Sequence, residues 1–290
     1  MRMTSLGVMW AATETRVLRS TDAGRSWSDV TPANSPGSWS TFVALDDSAA
    51  WAIHSVYGTN SLTVERTVDG GRTWSRSAAT TPGGGATGAG FVDHLHGWLF
   101  VDLGVAAGSE AVAVLSTRDG GATWKVAAQS DDPTSGAGTG GISFGCDKAP
   151  MAFGSAAIGL LPTECAGGPP YIYRTADGGA HWTRVNLPGA GYYFETPIFL
   201  TATDAVIHGT DGTGGGLLAT HDAGASWSLS RLPGKGSIDF ESTVSGWQMN
   251  DTLFSTSDGG RTWRTIASLP FKGTDAALQA MEQSEAVAAL

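Results

Sequence analysis

The chain has 290 residues, with 41 Gly, 11 Trp and only 15% charged side chains, a composition that favours many short strands and tight turns over long solvated helices. Its net charge of −10 argues against nucleic acid or an anionic membrane as the main partner, because both select a basic face. The 41% apolar content supports a buried core rather than disorder, and no run of about 18 apolar residues exists to span a bilayer as a helix.

In chain order, GVMWAATETRVLRSTDAGRSW (7–27) predicts a strand around Trp10, a second strand and a turn, without an inner strand before them. The first 25 residues hold no apolar stretch of export-signal type. Fuller units follow at roughly 38–80, 90–130, 141–188, 196–233 and 237–270. They contain TFVALDDSAAWAI (41–53), GFVDHLHGWLF (90–100), APMAFGSAAIGLL (149–161), PIFLTATDAVIHG (197–209) and IDFESTVSGWQM (238–249). Each reads as an apolar strand, a short polar turn and a second apolar strand. Last comes the tail 276–290, in which LQAMEQSEAVAAL (278–290) aligns with FVALDDSAAWAIH (42–54). As a strand it would supply the piece missing from the first unit and cover both sheet edges. The tail is also rich in helix formers, so both readings stay open.

One octapeptide punctuates all six units: STDAGRSW (20–27), TVDGGRTW (67–74), TRDGGATW (117–124), TADGGAHW (175–182), THDAGASW (220–227) and TSDGGRTW (256–263). Its aspartates, Asp22, Asp69, Asp119, Asp177, Asp222 and Asp258, are 47, 50, 58, 45 and 36 residues apart, a period of propeller type. The carboxylate can accept bonds from the backbone after it, and the Gly two positions on suits positive φ. The tryptophans Trp27, Trp74, Trp124, Trp182, Trp227 and Trp263 then bury large rings on the next strand. From such a Trp to the following inner mark is 24 residues for Trp27 to Trp51, Trp74 to Trp98 and Trp182 to Val206. Trp124 to Ile158 is 34, which places a ten-residue insertion there. Each unit is therefore a four-stranded antiparallel blade with the Asp turn between its last two strands. The prediction is a single all-β domain over 1–290, a β-propeller of six blades, with seven as the alternative. The terminal segments close the ring in this reading.

These octapeptides resemble the Asp-box, or BNR, repeat of sialidases, sortilin-type ectodomains, xyloglucanases and the photosystem II stability/assembly factor family. The combined pattern F…GW…TxDGGxTW is most similar to the last group and its bacterial relatives. The resemblance covers nearly the whole chain and implies the fold. It leaves function open, because the repeat decorates unrelated activities. In those families the boxes lie away from the ligand, which implies that the six aspartates are structural. The sialidase-like members also imply an arginine triad, a Tyr–Glu pair and an Arg-Ile-Pro motif. That tripeptide is absent here, and nearly all arginines sit in or beside the octapeptides rather than on a well-formed inner strand.

Cys146 and Cys165 flank the hairpin of the fourth unit, 19 residues apart, where a cross-strand disulfide would place them opposite one another. The alternative is two unrelated small residues. A disulfide would imply an oxidising compartment, hence the cell envelope or the extracellular space. His94, His96 and Asp93 read as a solvated turn, and no metal or cofactor is expected. No P-loop, GxSxG or HExxH occurs, and the Gly-rich 81–90 and 209–216 read as loops.

In a propeller the loops between blades and those between the second and third strands share one face. Trp39, Tyr57, Glu164, Tyr192, Tyr193, Glu195, His208 and Asp211 are predicted there. Aromatic rings with carboxylates suit a protein segment, a peptide or a carbohydrate at the channel mouth. The expected function is non-catalytic binding or assembly, with the monomer as default. A secreted glycoside hydrolase, sialidase-like or xyloglucanase-like, is the alternative.

Overall fold

The segments between the octapeptides form strands because their β-branched, aromatic and small apolar residues bury one or both faces of a sheet. The computed structural model describes residues 2–268, apart from 36–37, 107, 132–137, 166–168, 190–192, 211–214 and 235. The first sheet joins β1 (Arg2–Met3), β2 (Met9–Ala12), β3 (Val17–Ser20) and β4 (Ser28–Asp29). The second joins β5 (Thr41–Ala44), β6 (Ala50–Ser55), β7 (Ser61–Thr67) and β8 (Ser75–Thr80). The third joins β9 (Gly85–Phe91), β10 (Gly97–Ala106), β11 (Ser109–Thr117) and β12 (Lys125–Gln129). In the fourth, β13 (Asp147–Lys148) and β14 (Ala152–Phe153) share the first position, before β15 (Gly159–Glu164), β16 (Tyr171–Thr175) and β17 (Trp182–Asn186). The fifth likewise has β18 (Tyr193–Phe194) and β19 (Ile198–Phe199) before β20 (Ala205–Thr210), β21 (Gly215–Thr220) and β22 (Ser228–Arg231). The sixth joins β23 (Ser237–Phe240), β24 (Gly246–Met249), β25 (Thr252–Thr256) and β26 (Arg264–Ser268). Strands run up and down in chain order, every pair within a sheet is antiparallel, and the six sheets are the blades of a β-propeller.

Three details differ from the sequence reading. The first blade has an inner strand of its own, because Arg2 and Met3 pair with Trp10 and Met9. An arginine therefore does stand on an inner strand. The tail 276–290 lies outside the described residues. In the fourth blade, Leu160 rather than Ile158 occupies the register of Trp51, since Leu160 faces Arg174 as Trp51 faces Arg66. The insertion is thus two residues longer than the spacing suggests. Finally, Trp182 alone among the octapeptide tryptophans is fully buried, and the other five are half-buried. The deepest rings are Trp10, Trp51 and Trp98 on the second strands.

The described residues divide into two compact units, one of 2–104 with 111–129, the other of 105–110 with 130–268. In the first, Trp51 stacks on Phe91 at 3.7 Å among Ile53, Leu62, Val64, Leu99 and Leu115. A second cluster there holds Trp10, Val17, Trp39, Ala50 and Ala52. In the second unit, Leu160, Ile172, Ile207 and Leu218 form one cluster, while Val206, Leu217, Leu232 and Phe240 form another.

Arginines three residues before the octapeptide Asp tie neighbouring blades together. Arg19 donates to the Asp47 carbonyl (2.7 Å), Arg66 to that of His94 (2.9 Å) and Arg174 to that of Ala223 (2.6 Å). Arg19 and Arg66 also lie over the faces of Trp10 and Trp51. These guanidinium groups are committed to the scaffold.

Candidate functional site

The octapeptides share one hydrogen-bond scheme, except that Trp74 Nε1 donates to the Val30 carbonyl (2.8 Å) and the His181 ring stands in for a hydroxyl beside Asp177 (2.7 Å). In the third, the Thr117 hydroxyl donates to Asp119 Oδ1 (2.8 Å) and accepts from the Gly121 amide (2.9 Å). The Thr123 amide donates to Asp119 Oδ1 (2.9 Å) and its hydroxyl to Oδ2 (2.6 Å). Trp124 Nε1 donates to the Gly121 carbonyl (3.2 Å), and Gly121 has φ +92°, where a Cβ would be strained. The hydroxyl at the seventh position holds the carboxyls of Asp22, Asp69, Asp119, Asp222 and Asp258 at a pKa of about 2, assisted by the amide of the same residue. At Asp177 partial burial opposes ionisation, but His181 bonds the carboxylate through both ring and amide, and the net shift is downward. Carboxylates so fully engaged by their own turns are ionised fasteners.

The loop-face candidates divide. Trp39 is buried, its Nε1 donating to the Thr13 carbonyl (2.6 Å) and its ring meeting the His54 edge at 5.6 Å. It belongs to the core. Tyr57 is exposed and lies against Gly85 and Gly104, at each of which a Cβ would touch the tyrosine ring or hydroxyl. Tyr192 and Asp211 lie outside the described residues. The others converge in the second unit. Tyr193 and Phe194 form β18, and the Phe194 amide donates to Glu164 Oε1 (3.1 Å) at the end of β15. The Phe194 ring packs into the core so closely that a Cβ on Gly209 would sit 3.0 Å from it. Tyr193 is therefore held in place while its side chain is 67% exposed. The Glu195 amide donates to the His208 carbonyl (2.9 Å), which sets its exposed carboxylate over the buried His208 ring.

Cys146 and Cys165 are joined by a disulfide with Cα atoms 4.7 Å apart. The register explains it, since Asp147 faces Glu164 in the ladder just inside the pair. Sequence reasoning missed what the disulfide adjoins. Lys148 is buried, and its Nζ donates to the carbonyls of Glu110 (2.5 Å), Phe144 (3.2 Å), Gly145 (3.1 Å) and Cys146 (2.9 Å). Burial lowers its pKa to about 8, against the attraction of Glu110, Asp147 and Asp131. Its amide donates to Glu110 Oε2 (2.7 Å). This cage anchors the end of the insertion to the β10–β11 hairpin.

A second missed cluster lies in the first unit. Glu65 is 1% exposed, yet accepts from Arg76 Nη2 (2.5 Å) and Ser35 Oγ (2.9 Å) and lies 3.0 Å from His54 Nε2. Ser35 Oγ is 3.2 Å from the same Nε2, while Nδ1 faces the Ser38 carbonyl (3.2 Å). In a nucleophilic relay the acid orients the nitrogen opposite the hydroxyl. Here both crowd one nitrogen, so the cluster is a buried ionic clasp on the loop carrying Trp39. No spacing in TVERT (63–67) announces it. His94 and His96 bind different carboxylates, Asp46 and Asp93, and no group of three metal-binding side chains gathers among the described residues.

No protein-family model and no curated protein matches the chain. Among solved structures it is similar to one titled "YCF48 bound to D1 peptide", at 14% identity and TM-score 0.59, covering 92% of this chain and 80% of that one. YCF48 from Cyanidioschyzon merolae gives 17% identity and TM-score 0.56, covering 90% and 81%. The GH74 xyloglucanase from Xanthomonas campestris gives 16% identity and TM-score 0.59, covering 91% of this chain but 44% of the enzyme. At these identities the likeness is one of fold: the chain is a β-propeller of a kind found both in a peptide-bound protein and in a xyloglucanase.

Proposed function

We propose that this propeller is a non-catalytic binding module whose loop face in the second unit takes a protein segment or peptide. The observation that carries the reading is the pinned strand β18. It presents Tyr193 and Glu195 to solvent on a backbone fixed by Glu164 and by the buried Phe194 ring. A rigid aromatic ring beside carboxylates gives contact area at little conformational cost. The peptide in the YCF48 structure supports a peptide over a carbohydrate. The disulfide supports residence in an oxidising compartment, in the cell envelope or outside the cell.

Panning a random peptide library against the protein, with the Tyr193→Ala variant as counter-selection, tests this. The expected result is enriched peptides that bind the parent chain and lose most of their affinity for the variant. Failure to enrich, together with turnover of a glycan panel that Glu195→Gln abolishes, would replace the binding module with the glycoside hydrolase.

A further inference from the structure

The sixth blade has one side that is packed and one that is open. Along β24 the burial alternates: Gly246 and Gln248 are buried, whereas Trp247 is 37% exposed and Met249 42%. Such alternation marks a sheet with one side facing solvent. By contrast β6, β15 and β20, the second strands of the second, fourth and fifth blades, are buried on both sides through their first five residues. The ladder extends the open side of the sixth blade. Trp247 lies opposite Asp239 and Ser255, Met249 lies opposite Ser237 and Leu253, and Leu253 faces Ala267. The other side, with Ile238 and Phe240, packs with Val206 and Leu217 of the fifth blade.

Trp247 stands at a core position. It faces the residue three before an octapeptide Asp, as Trp10 faces Arg19, Trp51 Arg66, Leu160 Arg174 and Val206 Ala219. Those four are at most 3% exposed, and each is covered from the following blade. Trp10 and Trp51 meet Phe42 and Phe91 at 6.2 and 3.7 Å, while Leu160 and Val206 share clusters with Phe194 and Phe240. A lone exposed apolar side chain is ordinary, but a ring at a core register beside an exposed methionine calls for a cover. Residues 269–290 continue directly from β26, a strand of this same sheet. Their last part, LQAMEQSEAVAAL (278–290), aligns with FVALDDSAAWAIH (42–54), the hairpin that covers Trp10. The inner position of the first blade is held by β1, so the segment is not needed there. We propose that 278–290 folds back onto the Trp247 side of its own sixth blade, as 42–54 lies on Trp10. Leu278 would take the place of Phe42, and the Glu282 carbonyl that of Asp46, accepting from Trp247 Nε1. Tethering to the same sheet gives the segment a high effective concentration at that face. The assignment is independent of the ligand site at β18.

Amide hydrogen exchange read by mass spectrometry, on the full chain and on a chain ending at Ala277, tests this. Loss of 278–290 should speed exchange across 246–256 about tenfold and leave 50–67 in the second blade unchanged, because only the sixth blade loses its cover. Trp247→Ala in the full chain should in turn release the protection of 278–290. Should the shortened chain fail to fold, Leu278→Asp in the full chain gives the same readout on 246–256 from a point change. Exchange of 278–290 in the full chain at the rate of an unstructured peptide would overturn the proposal. So would an unchanged rate across 246–256 in the shortened chain or, where that chain does not fold, in Leu278→Asp. Light scattering identifies the rival occupant. A dimer that Trp247→Ala dissociates, and that survives removal of 278–290, would mean that a second copy of the chain covers the face, which overturns it as well.

Discussion

Trp51 Nε1 donates to the carbonyl of Gly120, 2.8 Å away and 69 residues along the chain. The deepest ring of the second blade is thereby bonded to the octapeptide turn of the third. Trp10 makes a parallel link to the Asp46 carbonyl (3.1 Å) in the polar turn of the second blade. Blade order is written into these bonds as well as into the apolar contacts around them. Trp51→Phe should cost about 2–4 kcal/mol, combining a cavity beside Phe91 with an unpaired Gly120 carbonyl. A urea titration should show a lower midpoint at unchanged slope.

Thr117 is 2% exposed and bonds both the Asp119 carboxylate and the Gly121 amide. Thr117→Val keeps its shape but strands that amide, a loss of about 1–3 kcal/mol. Thr117→Ser should recover most of it, which calorimetry of the two variants would show.

Asp22, Asp69, Asp119, Asp222 and Asp258 have pKa values of about 2, lowered from 3.8. A depressed carboxyl stabilises the fold above its unfolded pKa and loses that contribution as pH falls through the folded value. Stability should therefore be held above about pH 4 and fall between about pH 4 and pH 2. Thermal midpoints measured across that range would show the decline, and Asp119→Asn should make it shallower.

Reducing the disulfide between Cys146 and Cys165 should lower stability by about 3 kcal/mol, from the entropy of the loop it closes. Denaturation with and without a phosphine reductant measures this. The double Cys→Ser variant should match the reduced protein.

Lys148→Met removes a buried ammonium from four carbonyls at once and should destabilise by about 2–4 kcal/mol. Because the Lys148 pKa is lowered to about 8 from 10.5, the unfolded chain binds more protons between those values. Its contribution to stability should rise with pH from about 8 to 10.5 in the parent chain and not in the variant, as paired thermal melts would report.

The repeating turns were legible from residues alone because the bonds that shape them are local. Thr117, Asp119, Gly121, Thr123 and Trp124 meet within one octapeptide, so their spacing fixes their geometry. Repetition at blade spacing then predicts four-stranded blades, six with seven as the alternative, and the cysteine separation allows a bridge across one hairpin that the structure shows. Tertiary structure decided what depends on approach between distant segments. Trp39 proved to be core because Thr13 and His54 close over it. Lys148 found Glu110, and Glu65 found Ser35, across separations that carry no period. Gln248 is fully buried with its Oε1 bonding nothing, which no spacing in the chain announces. A motif encodes contacts within its own length; burial and the want of a partner belong to the assembled blades.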